Sequence, residues 1–158
     1  MKTSFNLKAS LVVAAMLSLS VAQAATISKA EYKADKTRIS ADYKADKAAC
    51  AALTANAKDI CVQEAQAKEK VARAELEYSY SGKAADQTKV LMAKAQSAYA
   101  VAKEKCDDKA GNDKDVCVKE AKAVETKALA DAKMGKQIGE AKKAVSYTHL
   151  TLPTIYSV

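Results

Sequence analysis

Two stretches of the chain repeat each other at an offset of 56 residues, and all four cysteines fall inside the matching region. KDICVQEAQAKEK begins at Lys58, and KDVCVKEAKAVET begins at Lys114. The match extends toward the N-terminus, where Tyr43 aligns with Tyr99. A repeat of this length predicts that the chain folds as two copies of one supersecondary unit.

Residues 25–144 are rich in Ala and in charged side chains, and the only Pro of the chain lies outside them. This composition is typical of long solvated helices and coiled coils, and large apolar side chains are too sparse for a compact globular core. The sequence therefore predicts an all-α fold of two antiparallel helical hairpins, in a coiled-coil or loose four-helix arrangement. The four helices are expected near residues 27–53, 57–79, 86–109 and 113–137.

Each predicted hairpin has its own turn, LTANAKD in the first copy and KAGNDKD in the second. Asn56 and Asn112 occupy the same place in the two turns, and Asn is a favourable N-cap residue for the helix that follows. Gly111, just before Asn112, suits the end of the preceding helix.

A looser joint is expected at residues 78–87, between the two hairpins. It divides the chain into a first hairpin unit at residues 25–80 and a second at residues 81–144. Continuing the repeat register places the start of a third unit at Gly139, so the second segment is expected to hold the beginning of a truncated third hairpin.

The first 24 residues have the organisation of a secretory signal peptide. Lys2 and Lys8 form a positively charged start, residues 11–21 form an apolar segment, and residues 22–24 form a small-x-small cleavage site. The apolar segment is shorter than the roughly 20 residues of a membrane-spanning helix. We therefore expect residues 1–24 to be cleaved, and the mature chain to be exported to the periplasm without a membrane span.

The four cysteines are expected to form two structural disulfides. Cys50 and Cys61 lie symmetrically about the first turn, and Cys106 and Cys117 repeat that spacing in the second. An even number of cysteines at matched spacing in an exported chain predicts a disulfide framework, and hairpin symmetry favours the pairs Cys50–Cys61 and Cys106–Cys117. The alternatives are a zinc site, whose ligands normally come in closer pairs, and a redox-active pair, which favours Cys-x-x-Cys.

Tyr43 and Tyr99 each precede the first cysteine of their unit by two helical turns. We expect them to pack against alanines of the facing helix, because aromatic residues at helical spacing are more often part of a core. Stacking on a ligand is the alternative.

The combination of a signal peptide with Tyr-x6-Cys-x10-Cys units that end in KD(I/V)CVxEAxA resembles a group of proteobacterial exported proteins. These are rich in Ala and Lys, have no established function and are often labelled TolA-like cell-envelope proteins. The resemblance covers Lys29 to about Ala144. It implies a cell-envelope protein without established catalytic residues, in a group whose members tend to carry a further Cys-paired unit.

Residues 145–158, VSYTHLTLPTIYSV, carry no charged Lys, Arg, Asp or Glu side chain. Back-translated, VSYTHLTLPT resembles the transposase end and adapter used in sequencing libraries. We therefore expect this segment to be a non-native, disordered tail of translated adapter. On this interpretation neither His149 nor Pro153 has an evolved role as a ligand or turn residue.

No catalytic constellation is visible, because residues 25–144 have no His, no nucleophile motif and no glycine-rich phosphate loop. We therefore expect no enzymatic activity, no cofactor, no metal and no catalytic residue.

The chain has 26 basic and 19 acidic residues, a net charge of +7. Without Lys2 and Lys8 of the signal segment, the net charge is +5. The leading hypothesis is a structural or interaction protein of the cell envelope: a spacer, a scaffold or an envelope-stress component with envelope proteins as partners. The alternatives are a cationic binder of anionic envelope polymers, such as lipopolysaccharide or peptidoglycan, and a thiol-redox or metal-handling protein. Nucleic acid is not expected, given export and the mixed charge.

Overall fold

The computed structural model describes the backbone of residues 26–150 and the side chains of residues 26–144. Almost all of this backbone is helical, with a short 3₁₀ turn at Cys50–Ala52 and no strand in the described range. The all-α prediction is therefore confirmed, while the predicted signal peptide lies outside the described residues. The four helices are α1 Lys29–Ala49, α2 Ala55–Ser81, α3 Ala84–Cys106 and α4 Gly111–Leu150.

Consecutive helices run antiparallel, as predicted. Asp46, near the end of α1, pairs with Lys68 of α2 at 2.7 Å. Tyr32, near the start of α1, lies against Tyr80 at the end of α2, with ring centroids 4.8 Å apart. The start of α1 therefore lies against the end of α2, as it does in an antiparallel pair. The same reversed order relates α2 to α3 through two ion pairs: Glu64 with Lys105 at 2.8 Å, and Glu75 with Lys94 at 2.7 Å.

Within the described residues, each helix packs only on its neighbours along the chain. Cα atoms approach within 8 Å between α1 and α2, between α2 and α3 and between α3 and α4, but between no other pair of helices. The four helices therefore form an open row, and the inner helices α2 and α3 have a neighbour on each side. Burial is uneven along the row: α1 has no buried residue, and the inner helix α2 has two, Ala65 and Leu76. Helix α3 has six: Thr88, Val90, Ala93, Ala95, Ser97 and Cys106.

Helix α1 begins with a capping box that the sequence analysis did not identify. The Ser28 hydroxyl accepts a hydrogen bond from the Glu31 N–H at 3.2 Å, and the Ser28 N–H donates to the Glu31 carboxylate at 2.8 Å. These bonds to Ser28 lower the pKa of Glu31. A cap of this kind contributes about 1 kcal/mol to helix stability. The Ile27 N–H also donates to the carbonyl of Ser79 at 3.1 Å, which ties the start of α1 to the end of α2.

The turns of the two hairpins share one backbone geometry. In each turn, an N–H three residues after the first cysteine donates to the carbonyl of that cysteine: Leu53 to Cys50 at 3.1 Å, and Lys109 to Cys106 at 3.0 Å. The following helix starts at a residue with a left-handed φ, +49° at Ala55 and +52° at Gly111. These two positions align at the repeat offset. The second copy therefore has glycine where a positive φ favours it, and the first copy has alanine.

Asn56 is not the N-cap of α2, so that prediction was wrong. The N-cap is Thr54, whose side chain makes no capping hydrogen bond. The Asn56 amide instead reaches the second hairpin, where it donates to the carbonyl of Glu104 at 3.0 Å and to the carboxylate of Asp108 at 2.7 Å. Asn112 likewise lies inside its helix, α4. A local reading of the turn could not find the contacts of Asn56, because its partners are 48 and 52 residues away.

The joint between the hairpins is a tight turn rather than the loose segment expected at residues 78–87. Helix α2 ends at Ser81 and is capped by Gly82, which has φ +63° and whose N–H donates to the carbonyl of Tyr78 at 2.8 Å. The hydroxyl of Ser81 bonds to the carboxylate of Asp86 at 2.6 Å, across the start of α3. Gly82 terminates α2 in a left-handed conformation, and the Ser81–Asp86 hydrogen bond spans the start of α3. Few residues are therefore needed between the two helices.

Helix α4 continues to Leu150, past the end predicted at residue 137 and past the expected start of a third unit at Gly139. Neither Gly135 nor Gly139 has the positive φ that ends α2 at Gly82. The surrounding residues are mostly good helix formers, and Lys136 pairs with Glu140 at 3.7 Å along the helix. The first six residues of the expected disordered tail therefore belong to α4, and residues 151–158 lie outside the described residues.

Candidate functional site

Two disulfides close the hairpins with the predicted pairing. Cys50 is joined to Cys61, with Cα atoms 5.6 Å apart, and Cys106 is joined to Cys117, with Cα atoms 5.7 Å apart. Both separations lie in the ordinary range for a disulfide. All four cysteines are therefore paired, and none is free.

Both disulfides lie at the same end of the row of helices. This follows from the topology, because α1–α2 and α3–α4 are joined at one end and α2–α3 at the other. The first cysteine of each pair is almost completely buried, with Cys50 and Cys106 each 1% exposed. Closing a loop of this length stabilises the fold by roughly 3 kcal/mol in the chain-entropy model. The four predicted cysteines therefore form two disulfides, one closing each hairpin.

A groove runs between the two helices of each hairpin, and its lining residues align at the repeat offset. In the first hairpin the groove is small, about 40 Å³, and Tyr43 lies in it beside Ile39 and Ala72. An ion pair crosses it, with the Lys68 ammonium 2.7 Å from the Asp46 carboxylate. The hydrogen bond to Asp46 raises the pKa of Lys68. In this copy, a polar bridge therefore spans the groove.

The equivalent groove of the second hairpin is larger, about 240 Å³, and mainly apolar. Ala102 and Val124 stand at the positions of Asp46 and Lys68, so the ion pair is replaced by side chains that cannot bridge the groove. Tyr99 lies there with several alanines of both helices: Ala95, Ala98, Ala121 and Ala128. The predicted location of Tyr99 against alanines of the facing helix is therefore confirmed.

A charged pair lies beside this second groove, and one of its members, Glu125, lines it. Glu125 is only 7% exposed, and its carboxylate accepts a hydrogen bond from the Lys122 ammonium at 2.6 Å. The same ammonium lies 4.8 Å from the centroid of the Tyr99 ring, a cation–π geometry. The bond to Glu125 raises the pKa of Lys122. Neither Glu125 nor Lys122 was predicted from the sequence, although the exchange of Lys68 for Val124 between the copies indicates that the two grooves differ.

Helix α1 carries a lysine face on one side. Five lysines share this side at helical spacing, and all are exposed: Lys29, Lys33, Lys36, Lys44 and Lys47. None of them forms a salt bridge with a described carboxylate. Asp42 and Asp46 lie on a different side of α1, where they line the first groove. The lysine face is therefore a locally cationic surface on a chain of mixed charge.

Among the described residues, no group of three or more His, Cys, Asp or Glu side chains could hold a metal ion. No helix in the same range is both long and apolar enough to cross a membrane. Comparisons of the chain with protein-family models, with curated proteins and with solved structures give no match.

Proposed function

We propose that this protein is a non-enzymatic scaffold or spacer of the bacterial cell envelope, which acts in the periplasm by presenting helical surfaces to other envelope proteins. The observation that supports this most is the row of antiparallel helices whose two hairpins are each closed by a disulfide at the same end. Such a row offers two broad faces and little enclosed volume for chemistry.

The two disulfides are consistent with the proposed periplasmic location. Disulfides form and persist in oxidising compartments, of which the bacterial periplasm is one, and are rare in the cytosol. The signal-peptide pattern of residues 1–24 points the same way. Export would allow both staples to form, and we propose that the folded row depends on them because large buried side chains are few.

The dimensions suit a spacer. A helix rises about 1.5 Å per residue, so α2, with 27 residues, spans about 40 Å. Helix α3 is packed on both sides, and the side chain of Asn56 joins the first hairpin to the turn of the second. These contacts hold the two hairpins at a fixed spacing, which a surface that binds a partner requires.

Photo-crosslinking in living cells tests the proposal. A photoreactive residue would replace Leu91 or Val124, which are exposed by 48% and 68%. We expect discrete adducts with identified envelope proteins, and we expect these adducts to disappear when both disulfides are removed by Cys→Ser substitution. If no envelope protein is captured from either position, or if the adducts are unchanged without the disulfides, the proposal is wrong.

The lysine face supports a second candidate, a cationic binder of anionic envelope polymers. Each lysine near an anionic surface contributes about 1 kcal/mol of attraction at moderate salt, and five lie together on α1. Vesicles with anionic lipids provide the test. Binding should weaken as salt rises, and it should be lost when the five lysines are changed to glutamine. A matched control changes lysines that are already paired, such as Lys94 and Lys127. Absent or salt-insensitive binding would exclude this role.

A further inference from the structure

The side of α4 that faces away from α3 carries a stripe of exposed apolar side chains, which Lys127 interrupts. Val116, Met134 and Ile138 are exposed by 43%, 52% and 57%, and Ala123 and Ala130 lie between them at helical spacing. Residues on the opposite side of α4, such as Ala132, are buried against α3. Exposed large apolar side chains in a row mark a surface that another element can cover.

The 56-residue offset matches this stripe to the face of α2 that packs on α3. Ala123 and Ala130 of α4 correspond to Ala67 and Ala74 of α2. Ala67 lies in the junction between α2 and α3 beside Ser97 and Val101, and Ala74 lies in that junction beside Met92 and Ala93. The outer side of α4 is therefore the counterpart of a face that already binds a helix in this molecule.

The helix that would fit this face by the same rule is α1. Ala93, Ser97 and Val101 of α3 face α2, and the offset matches them to three exposed residues of α1: Thr37, Ala41 and Ala45. These three share the side of α1 opposite the side that packs on α2. They are small, so a helix backbone can approach them closely. Each molecule therefore has an outer face on α4 that resembles α2, and an outer face on α1 that resembles α3.

The charges on the two faces are complementary as well. Between α2 and α3, Glu75 pairs with Lys94 at 2.7 Å. The counterpart of Glu75 on α4 is Asp131, and the counterpart of Lys94 on α1 is Arg38, so an acid and a base recur at the matching places. Asp131 now pairs with Lys127 and Arg38 with Asp35, each along its own helix. These are exposed pairs of low stability, which an intermolecular partner can replace at small cost.

We infer that the outer face of α4 binds α1 of a second copy of this chain, in the antiparallel arrangement by which α2 binds α3. The contact is head-to-tail, so each copy keeps one free α1 and one free α4, and association extends the row instead of closing a ring. The contact is weaker than that between α2 and α3, because Lys127 and Ala45 stand where Val71 and Val101 pack. This inference does not depend on the envelope role proposed above.

Sedimentation of the purified protein from about 1 μM to about 1 mM tests this association, since a weak contact shows itself near the upper limit. We expect the mass to rise reversibly with concentration. Met134→Lys should abolish the rise, because it places a charge in the apolar stripe. Lys103→Glu, on an exposed site of α3, is the matched control and should not change it. Circular dichroism verifies that each variant is helical.

Charge reversal tests the geometry. Arg38→Glu and Asp131→Arg should each lower the association constant by about tenfold, because each places like charges opposite one another. The double variant should associate again, and a mixture of the two single variants should form heteromers. A protein that stays monomeric throughout overturns the inference. The inference is also overturned if Asp131→Arg weakens the association but Arg38→Glu does not. That result would mean that α4 packs against α4 or against another partner.

Discussion

Helices α1 and α3 hold the same place in their hairpins, yet they differ in how much of each is buried. Helix α1 has no buried residue, whereas α3 buries six. The sequences explain only part of this, because both helices are rich in Ala and Lys. Position in the row contributes, since α3 packs on α2 and α4 and α1 packs on α2 alone. It is not the whole reason, because α2 also packs on two helices and buries only Ala65 and Leu76.

The two hairpins also have different side chains at structurally equivalent positions. At the left-handed position after the turn, the first has Ala55 and the second Gly111. Across the groove, the first has an ion pair and the second has Ala102 and Val124. The backbone geometry is thus shared while the side-chain chemistry is not. Exchanging residues between equivalent positions can therefore test each contribution against an internal control.

Removing one disulfide at a time should have the largest effect. Cys50→Ser with Cys61→Ser, and Cys106→Ser with Cys117→Ser, should each lower the free energy of unfolding by about 3 kcal/mol. The two pairs should differ in where protection is lost. Without the first staple, α1 should lose its amide hydrogen-exchange protection, since no residue of α1 is buried. Without the second, α3 should stay protected by α2. Equal protection of α1 and α3 in both variants would contradict the comparison.

Exchanging the left-handed residues should have the next largest effect. Gly111→Ala should lower the free energy of unfolding by about 1 kcal/mol, because an added Cβ disfavours a positive φ. No atom lies within 4 Å of that Cβ, so the effect should come from the backbone alone. Ala55→Gly should raise stability by a smaller amount, since strain is relieved while the unfolded chain gains freedom. Urea denaturation measures both, and the same sign for both changes would refute the explanation.

Transferring the ion pair should have a smaller effect. Ala102→Asp with Val124→Lys copies the bridge of the first hairpin into the second. The bridge is largely exposed, with Lys68 and Asp46 side chains 67% and 36% accessible. A double-mutant cycle should therefore give a coupling of about 0.2 to 0.5 kcal/mol, which decreases in high salt. A coupling above about 1 kcal/mol would mean that the groove excludes water more than its exposure indicates.

Acid should loosen the joint between the hairpins. Hydrogen bonds from Lys89 and Ser81 hold the pKa of Asp86 below its usual value. A lowered pKa means that the carboxylate contributes stability above its unfolded pKa and loses that contribution as pH falls through its folded pKa. Amide exchange at Gly82 and Lys83 should therefore accelerate, after correction for intrinsic rates, as pH falls. Asp86→Asn should remove this pH dependence, and a variant that retains it would contradict the assignment to Asp86.

The sequence was sufficient to predict the helices, the hairpins and the disulfide pairing, because these depend on local composition and on cysteines placed symmetrically about a turn. It was insufficient where partners lie far apart in the chain. Asn56 was predicted as a cap, but its amide bonds to Glu104 and Asp108 in the other hairpin. The end of α4 was also misplaced, since it was predicted near residue 137, whereas the helix continues through Gly135 and Gly139 to Leu150.

The grooves were predictable in part. Aligning the copies places Ala102 and Val124 opposite Asp46 and Lys68, so a change from polar to apolar could have been noted from the sequence. The size of the second groove and the burial of Glu125 could not, because both depend on how α3 and α4 approach each other. The open row was also beyond the sequence, since nothing local indicates whether α1 and α4 meet.

Because both disulfides lie at one end of the row, the two ends of the molecule should respond differently to mechanical force. A tether that pulls on residues 26 and 144 applies its force at the opposite end, where α1 begins and α4 extends past the joint. This force should separate α1 from α2, and α4 from α3, starting at that end. Within each hairpin, the separation should stop at the disulfide. The residues enclosed by each disulfide never add to the extended length. Under tension, the disulfides should therefore keep the chain shorter than its full contour length by the residues that they enclose.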